Sequence, residues 1–132
     1  MEEINLLENL NKVTTIIYDG PSLSLNSFYV GGHFSNRLRV KNKFKAIFQE
    51  IFKNDKDIRF MKKFYLSMKF NNRIDTDNQS GLIKVFVDTL KEDGYIEDDN
   101  KAFFKGMSIF YNPELEKNTV QIDLYEIIDD EE

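Results

Sequence analysis

The chain has 132 residues and carries 18 Lys and Arg against 23 Asp and Glu, which gives a net charge of −5 at pH 7. That length fits one domain with a hydrophobic core, and 12 Phe and 6 Tyr supply apolar surface that a disordered chain lacks. The absence of Cys excludes disulfides, thiolate-bound zinc and a thiol nucleophile. The single His excludes His-rich zinc sites and argues against a Ser-His-Asp triad.

The first half of the chain predicts one strand, a long loop and one helix. Residues 4–12 carry a weak helical signal, whereas VTTIIY (13–18) is typical of a strand. Residues 19–36 are rich in Gly, Ser and Asn, which predicts a long functional or mobile loop. Apolar residues then recur at helical spacing and predict an amphipathic helix over 41–53. The apolar stripe of this helix is Phe44, Ile47, Phe48, Ile51 and Phe52.

The second half predicts three strands and a second helix. Residues 59–70 alternate apolar and polar side chains, as in a strand with one buried face. Helical periodicity returns over 80–92, and the Asp-Gly pair at 93–94 is a typical helix end. The runs 101–111 and 119–128 predict two antiparallel strands joined by the turn NPELEKN.

These elements follow the order β-α-β-α-β-β, which predicts an α+β fold with a mixed sheet packed by two main helices. We expect a single domain over residues 1–128 and a solvated acidic tail over 129–132. No apolar run reaches the ~20 residues that span a bilayer. The acidic start of the chain lacks the basic region of a secretory signal, so we expect a cytoplasmic protein without a membrane partner.

Charge is divided unevenly along the chain. Residues 31–73 hold 12 basic and 3 acidic residues and therefore carry +9, whereas residues 74–132 carry −11. Such asymmetry indicates either a polyanion-binding surface beside an acidic one or lysines that only solvate a helix and a strand. Composition alone slightly favours the second interpretation.

Two acidic pairs flank the predicted second helix. Asp75 and Asp77 lie two residues apart at a strand end, where an extended backbone would project both side chains from one face. Clustered carboxylates persist mainly when a cation neutralises them, and Mg²⁺ prefers such oxygen ligands. Asp98 and Asp99 follow the helix and could supply a third acid. The alternative is that all four serve only as turn and helix-cap residues.

Lys84 and Asp88 are four residues apart on the polar face of the same helix. One interpretation is a surface ion pair worth a few tenths of a kcal/mol. The other places Lys84 near the metal site, where its ammonium would neutralise a phosphate.

The order of these residues resembles the RusA family of Holliday junction resolvases, which are phage and prophage enzymes. The matching segments are Asp75-Thr76-Asp77-Asn78, Lys84 with Asp88 and Leu90, Gly94 to Asp99, PSLSLNSFY (21–29) and RLRVKNKFKAIFQEI (37–51). The final two strands match in position as well, so the resemblance covers nearly the whole chain.

The resemblance implies a homodimeric, Mg²⁺-dependent endonuclease that cuts four-way DNA junctions, with Mn²⁺ as a substitute ion. It assigns the metal to Asp75, Asp77 and Asp99, with Asp98 as their neighbour, and the essential lysine to Lys84. Basic residues of the +9 stretch would contact DNA phosphates. This DNA-binding set is Arg37, Arg39, Lys41, Lys43, Lys45, Lys69 and Arg73. Phe28, Tyr29, His33 and Phe34 would either stack at an open junction or pack internally, and packing is the stronger interpretation.

The chain departs from the family pattern in two respects. Residues 79–81 form a three-residue insertion before Lys84, which would rotate this lysine by about 60° if the insertion simply extended the helix. The chain is also acidic overall. Both departures motivate an alternative hypothesis, in which the same fold serves as a non-catalytic phage regulatory or inhibitor protein that binds a host protein or DNA.

Overall fold

The described part of the chain folds into a four-stranded mixed sheet with two helices on one face. The computed structural model describes residues 9–23 and 34–128, with the side chains of the first helix described from Leu38 onward. The strands are β1 (Leu10–Tyr18), β2 (Phe64–Asn71), β3 (Phe104–Tyr111) and β4 (Thr119–Ile127), and the helices are α1 (Phe34–Asn54) and α2 (Ser80–Glu92). The predictions for residues 4–8 and for the 129–132 tail lie outside the described residues, as do those for Phe28, Tyr29, His33 and the side chains of Phe34 and Arg37.

The predicted α+β class and the predicted element order are confirmed. The strands lie in the order β1-β4-β2-β3, so β2 and β4 occupy the centre of the sheet. β4 is antiparallel to both β1 and β2, whereas β3 is parallel to β2. A parallel pair needs a long crossover connection, and α2 provides it.

The predicted pairing of the last two strands is wrong, because β2 lies between β3 and β4. The connection over 112–118 crosses the end of β2 instead of forming a tight hairpin. Asn112 N–H donates to the Phe70 carbonyl at 2.9 Å, and Asn118 N–H donates to the Asn71 carbonyl at 2.6 Å. Tight hairpins use two to five residues, whereas this longer connection can span the ~10 Å that separate two strands on either side of a third.

Several predicted boundaries also differ. α1 begins at Phe34 rather than at residue 41, because Val40 continues the apolar stripe one turn before Phe44 and packs against the core. Residues 10–12 belong to β1 and are not helical. β2 begins at Phe64 rather than at residue 59, since Met61 makes only an isolated bridge to Ile96.

An aromatic cluster joins both helices to the sheet. The Phe48 ring of α1 lies 5.2 Å from the Tyr18 ring of β1 and 5.1 Å from the Phe86 ring of α2, between ring centroids. Phe52 contacts Phe86 at 5.3 Å and Tyr95 at 5.7 Å. Edge-to-face aromatic pairs of this kind add to the free energy gained from burial.

The opposite face of the sheet carries an unexpected buried acid. Asp123 of β4 lies on the same face as Gln121 and Tyr125, yet it is only 2 % exposed. Thr15 of β1 donates a 2.6 Å hydrogen bond to its carboxylate, and the Lys12 ammonium lies 3.8 Å away. These contacts satisfy the buried charge and tie β1 to β4.

The predicted end of α2 is confirmed at Gly94. Its φ of +85° belongs to the left-handed region that glycine adopts without strain. Gly94 N–H donates to the Lys91 carbonyl at 3.1 Å, and Tyr95 N–H donates to the Leu90 carbonyl at 2.9 Å. This Schellman pattern satisfies the last carbonyls of the helix and turns the chain back toward the sheet.

Within residues 9–23 and 34–128, neither helix has the combination of length and apolar composition that a bilayer crossing requires.

We expect Phe48→Ala to lower the free energy of unfolding by about 3–5 kcal/mol, because it opens a cavity among three aromatic rings. The matched control is Phe110→Ala, since Phe110 is 57 % exposed on β3, and it should change stability by no more than about 0.5 kcal/mol. Urea unfolding followed by circular dichroism measures both variants. Equal losses in the two variants would contradict the described core.

Candidate functional site

The first acidic pair lies on a short turn between β2 and α2. Thr76–Asn78 form a single 3-10 turn, and Asn78 N–H donates to the Asp75 carbonyl at 3.0 Å. The extended backbone therefore ends at Asp75. The sequence interpretation had extended it through Asp77, which instead lies in the turn. Both carboxylates are exposed, and Asp75 lines a cavity of about 330 Å³ together with Arg73 and Tyr111.

Gln79 fixes this turn to the helix, a role that sequence reasoning missed. Its side chain is buried, and its amide nitrogen donates to Asn72 Oδ1 and to the Ile74 carbonyl, both at 2.8 Å. Gln79 occupies the N-cap position of α2, but its side chain does not cap the helix. The only sequence signal is an amide side chain where a Ser, Thr, Asp or Asn cap is usual.

Residues 79–81 lie at the start of α2. Gln79 is the residue before the helix, and Ser80 and Gly81 form its first two positions.

Lys84 and Asp99 lie together in a groove between α2 and β3. The groove has a volume of about 310 Å³. Its lining residues are Ser80, Ile83, Lys84, Val87, Asp99, Phe104 and Met107. The structure thus brings together one predicted acid and the predicted lysine. Ser80 connects this groove to the acidic turn, since its hydroxyl donates to the Asp77 carbonyl at 3.5 Å.

Asp98 is held at the other end of α2. Its carboxylate lies 2.9 Å from the Lys91 ammonium and accepts the Asp99 backbone N–H at 2.7 Å. The hydrogen bond from Lys91, followed by that from the Asp99 N–H, lowers the pKa of Asp98. The same ion pair raises the pKa of Lys91. The Asp98 carboxylate is therefore bound to the last turn of α2 through Lys91.

The helix separates Asp75 and Asp77 from Asp98. α2 has 13 residues and is about 20 Å long, with Asp75 and Asp77 before its first turn and Asp98 beside its last. Asp75 and Asp99 line different cavities. In the part of the chain that the structure describes, no three Asp, Glu or His side chains lie close enough to hold one metal ion.

Carboxylate oxygens are nevertheless suitable ligands for Mg²⁺, and the acidic turn has enough of them. Mg²⁺ usually takes one or two protein carboxylates and completes its shell with waters and phosphate oxygens. Asp75 and Asp77 could supply two. The three-carboxylate set that includes Asp99 does not form in this conformation.

The predicted DNA-binding lysines of α1 make ion pairs within the protein. Lys41 Nζ lies 3.4 Å from Asp88, and Lys45 pairs with Glu92. Gln49 continues the series by donating to Asp93 at 3.0 Å. These contacts join α1 to α2. The helical spacing had suggested a pair between Asp88 and Lys84. In the structure Asp88 pairs with Lys41 instead.

The other predicted DNA-binding residues occupy different surfaces. Arg39 and Lys43 are exposed on α1, and Arg73 is exposed beside the acidic turn. Lys69 is half-buried on the open face of the sheet, where it lies opposite Gln121 and Phe110.

The chain matches no protein-family model and no curated protein.

We expect Lys91→Gln to raise the pKa of Asp98 toward the ordinary aspartate value, because it removes the hydrogen bond that lowers it. Any stability that this carboxylate contributes is present above the ordinary aspartate pKa and is lost as the pH falls through the lowered value. Carboxyl ¹³C shifts recorded against pH measure the change, with the exposed Lys117→Gln as the control. An unchanged Asp98 titration in Lys91→Gln would refute this placement.

Proposed function

We propose that the chain is a RusA-like, metal-dependent endonuclease that acts on branched DNA such as four-way junctions, as a homodimer. The shared groove of Lys84 and Asp99 is the observation that best supports it. These two residues are 15 positions apart in sequence, and the resemblance assigns both to one site. Ser80 lines this groove, and its hydroxyl donates to the Asp77 carbonyl of the adjoining acidic turn.

Each residue has a role that suits phosphodiester hydrolysis. The Lys84 ammonium would bind a non-bridging phosphate oxygen and stabilise the negative charge that develops there. The Asp99 carboxylate would accept a hydrogen bond from the attacking water and orient it. Asp75 and Asp77 would hold Mg²⁺, which supplies an activated water near neutral pH and neutralises charge on the phosphate when it is bound.

Gln79 would act as a positioning residue for this site. It holds the 72–74 segment against the start of α2 through two 2.8 Å hydrogen bonds, so it fixes where the acidic turn leaves the sheet. Arg73 beside Asp75 and Lys43 on α1 are exposed cations that would contact the DNA backbone.

A second candidate function is a non-catalytic binding protein. The ion pairs of Lys41 with Asp88 and of Lys45 with Glu92 favour it, because they neutralise part of the basic surface that DNA would require. This candidate predicts binding to a protein or to DNA that is unaffected when the acidic turn is neutralised.

We expect the protein to cut a synthetic four-way junction in Mg²⁺ or Mn²⁺ but not in EDTA. Asp77→Asn and Lys84→Gln should each lower the single-turnover rate by about 100-fold, since the first weakens the hold on Mg²⁺ and the second removes a cation that stabilises the developing negative charge. Both positions are exposed, so far-ultraviolet circular dichroism should show an unchanged fold. The matched control is Glu116→Gln, an exposed acid of the β3–β4 connection, which should cut at the native rate.

Absence of metal-dependent cleavage on junctions, forks and flaps would eliminate the nuclease proposal. Tight junction binding in EDTA by both the native protein and Asp77→Asn, without cleavage, would support the second candidate.

A further inference from the structure

A separate groove lies between β1 and α1, on the side of the molecule away from the Lys84–Asp99 groove. Its volume is about 590 Å³. The residues that line it are Thr15, Ile16, Ile17, Tyr18, Asp19, Gly20, Ile47, Glu50, Ile51, Asn54 and Asp55. None of them belongs to the proposed nuclease site.

One wall of this groove is β1, the edge strand of the sheet as far as the structure describes it. β1 is the first strand of the order β1-β4-β2-β3 and pairs only with β4 in the part of the chain that the structure describes. The outer N–H and C=O groups of an edge strand are a template for another extended chain. Peptides bind in this way when a helix lies beside the edge and leaves room for one more strand.

The other wall is a second stripe of α1. Ile47, Glu50, Ile51 and Asn54 follow the i, i+3, i+4, i+7 spacing, so they share one helix face. Ile47 and Ile51 are half-buried and supply an apolar floor, while Phe44, Phe48 and Phe52 occupy the core-facing side. Alternate side chains of an added strand would point toward this floor.

The rim of the groove is acidic. Asp19, Glu50 and Asp55 contribute three carboxylates, and none of the lining residues within 9–23 and 34–128 is Lys, Arg or His. Asp55 is held in place, since Thr14 donates a 2.7 Å hydrogen bond to its Oδ2. The backbone at Gly20 lies close to the Tyr18 ring, and a Cβ at position 20 would be only 2.9 Å from that side chain.

We propose that this groove binds an extended basic peptide segment of a partner protein, which adds as a strand to the outer edge of β1. Backbone hydrogen bonds to β1 provide affinity, and lysine or arginine side chains at the acidic rim provide specificity. Nucleic acid is a poor occupant because its phosphates would face three carboxylates. A second copy of this chain, with a net charge of −5, matches the rim less well than a basic segment does. The proposal does not depend on nuclease activity.

The test uses three blocked, fluorescently labelled nonapeptides and the full chain. The first alternates lysine with valine, and the second replaces every lysine with glutamate. The third is the lysine peptide with alternate backbone nitrogens methylated, which removes the N–H donors that strand pairing needs. Fluorescence anisotropy gives the affinities, and amide shifts of ¹⁵N-labelled protein give the location.

The lysine peptide should bind at least 10-fold more tightly than either of the other two. Amide shifts should concentrate in residues 15–20 and 47–55. The double variant Asp19→Asn/Glu50→Gln should weaken binding by about three- to fivefold for each charge removed, whereas Glu116→Gln should leave it unchanged. Both mutated positions are exposed, so the fold should be retained, and the unperturbed amide spectrum verifies it.

Three results would overturn the proposal. Equal affinity of the lysine and N-methylated peptides would exclude strand addition. Shifts that concentrate on the β3 edge or on the acidic chain end would place the binding elsewhere. Shifts in residues 15–20 that depend on protein concentration without any peptide would identify a second copy of the chain as the occupant.

Discussion

The parallel pairing of β2 with β3 is the constraint on which the rest of the structure depends. Parallel neighbours cannot be joined by a tight turn, so the chain between them must return along the full length of the sheet. α2 makes this return, and eight of its 13 residues are buried. Phe86 and Leu90 are completely buried, which places this crossover helix at the centre of the hydrophobic core.

This pairing determines where the chemistry-bearing residues lie. A crossover helix begins at the carboxyl end of one strand and finishes near the amino end of the next. The acidic turn at Asp75 and Asp77 therefore stands at one end of α2, and the Lys91–Asp98 ion pair stands at the other. Only Asp99 reaches the groove along the helix, where it meets Lys84. The proposed nuclease site is consequently an elongated groove with acids toward its ends, and DNA phosphate would occupy the space between them.

The two helices create two chemically different grooves over one sheet. α2 and β3 enclose the groove that carries Lys84, whereas α1 and β1 enclose a groove whose described lining has three carboxylates and no basic side chain. Ion pairs such as Lys41–Asp88 join α1 to α2 in the region between the two grooves. The proposed nuclease site and the proposed peptide-binding groove therefore use different residues.

Local signals were sufficient to predict α2, because its apolar stripe and Gly94 both lie within the helix or directly after it. Local signals did not predict which strands pair with each other in the sheet. β3 and β4 each alternate as a hairpin would, and only the length of the 112–118 connection indicated that another strand could lie between them. The Gln79 contacts depend on where the 72–74 segment folds back, which is a non-local property. The separation of the acidic pairs follows from the same strand order.

Backbone nuclear Overhauser effects between the strands test this arrangement most directly. The account predicts contacts that pair Met68 with Ile109 and Leu66 with Met107, together with β2–β4 contacts such as Met68 with Ile122. A continuous β3–β4 ladder with Ile109 opposite Gln121 would contradict it. In that case α2 would not be a parallel crossover, and the placement of both acidic pairs would have to be abandoned.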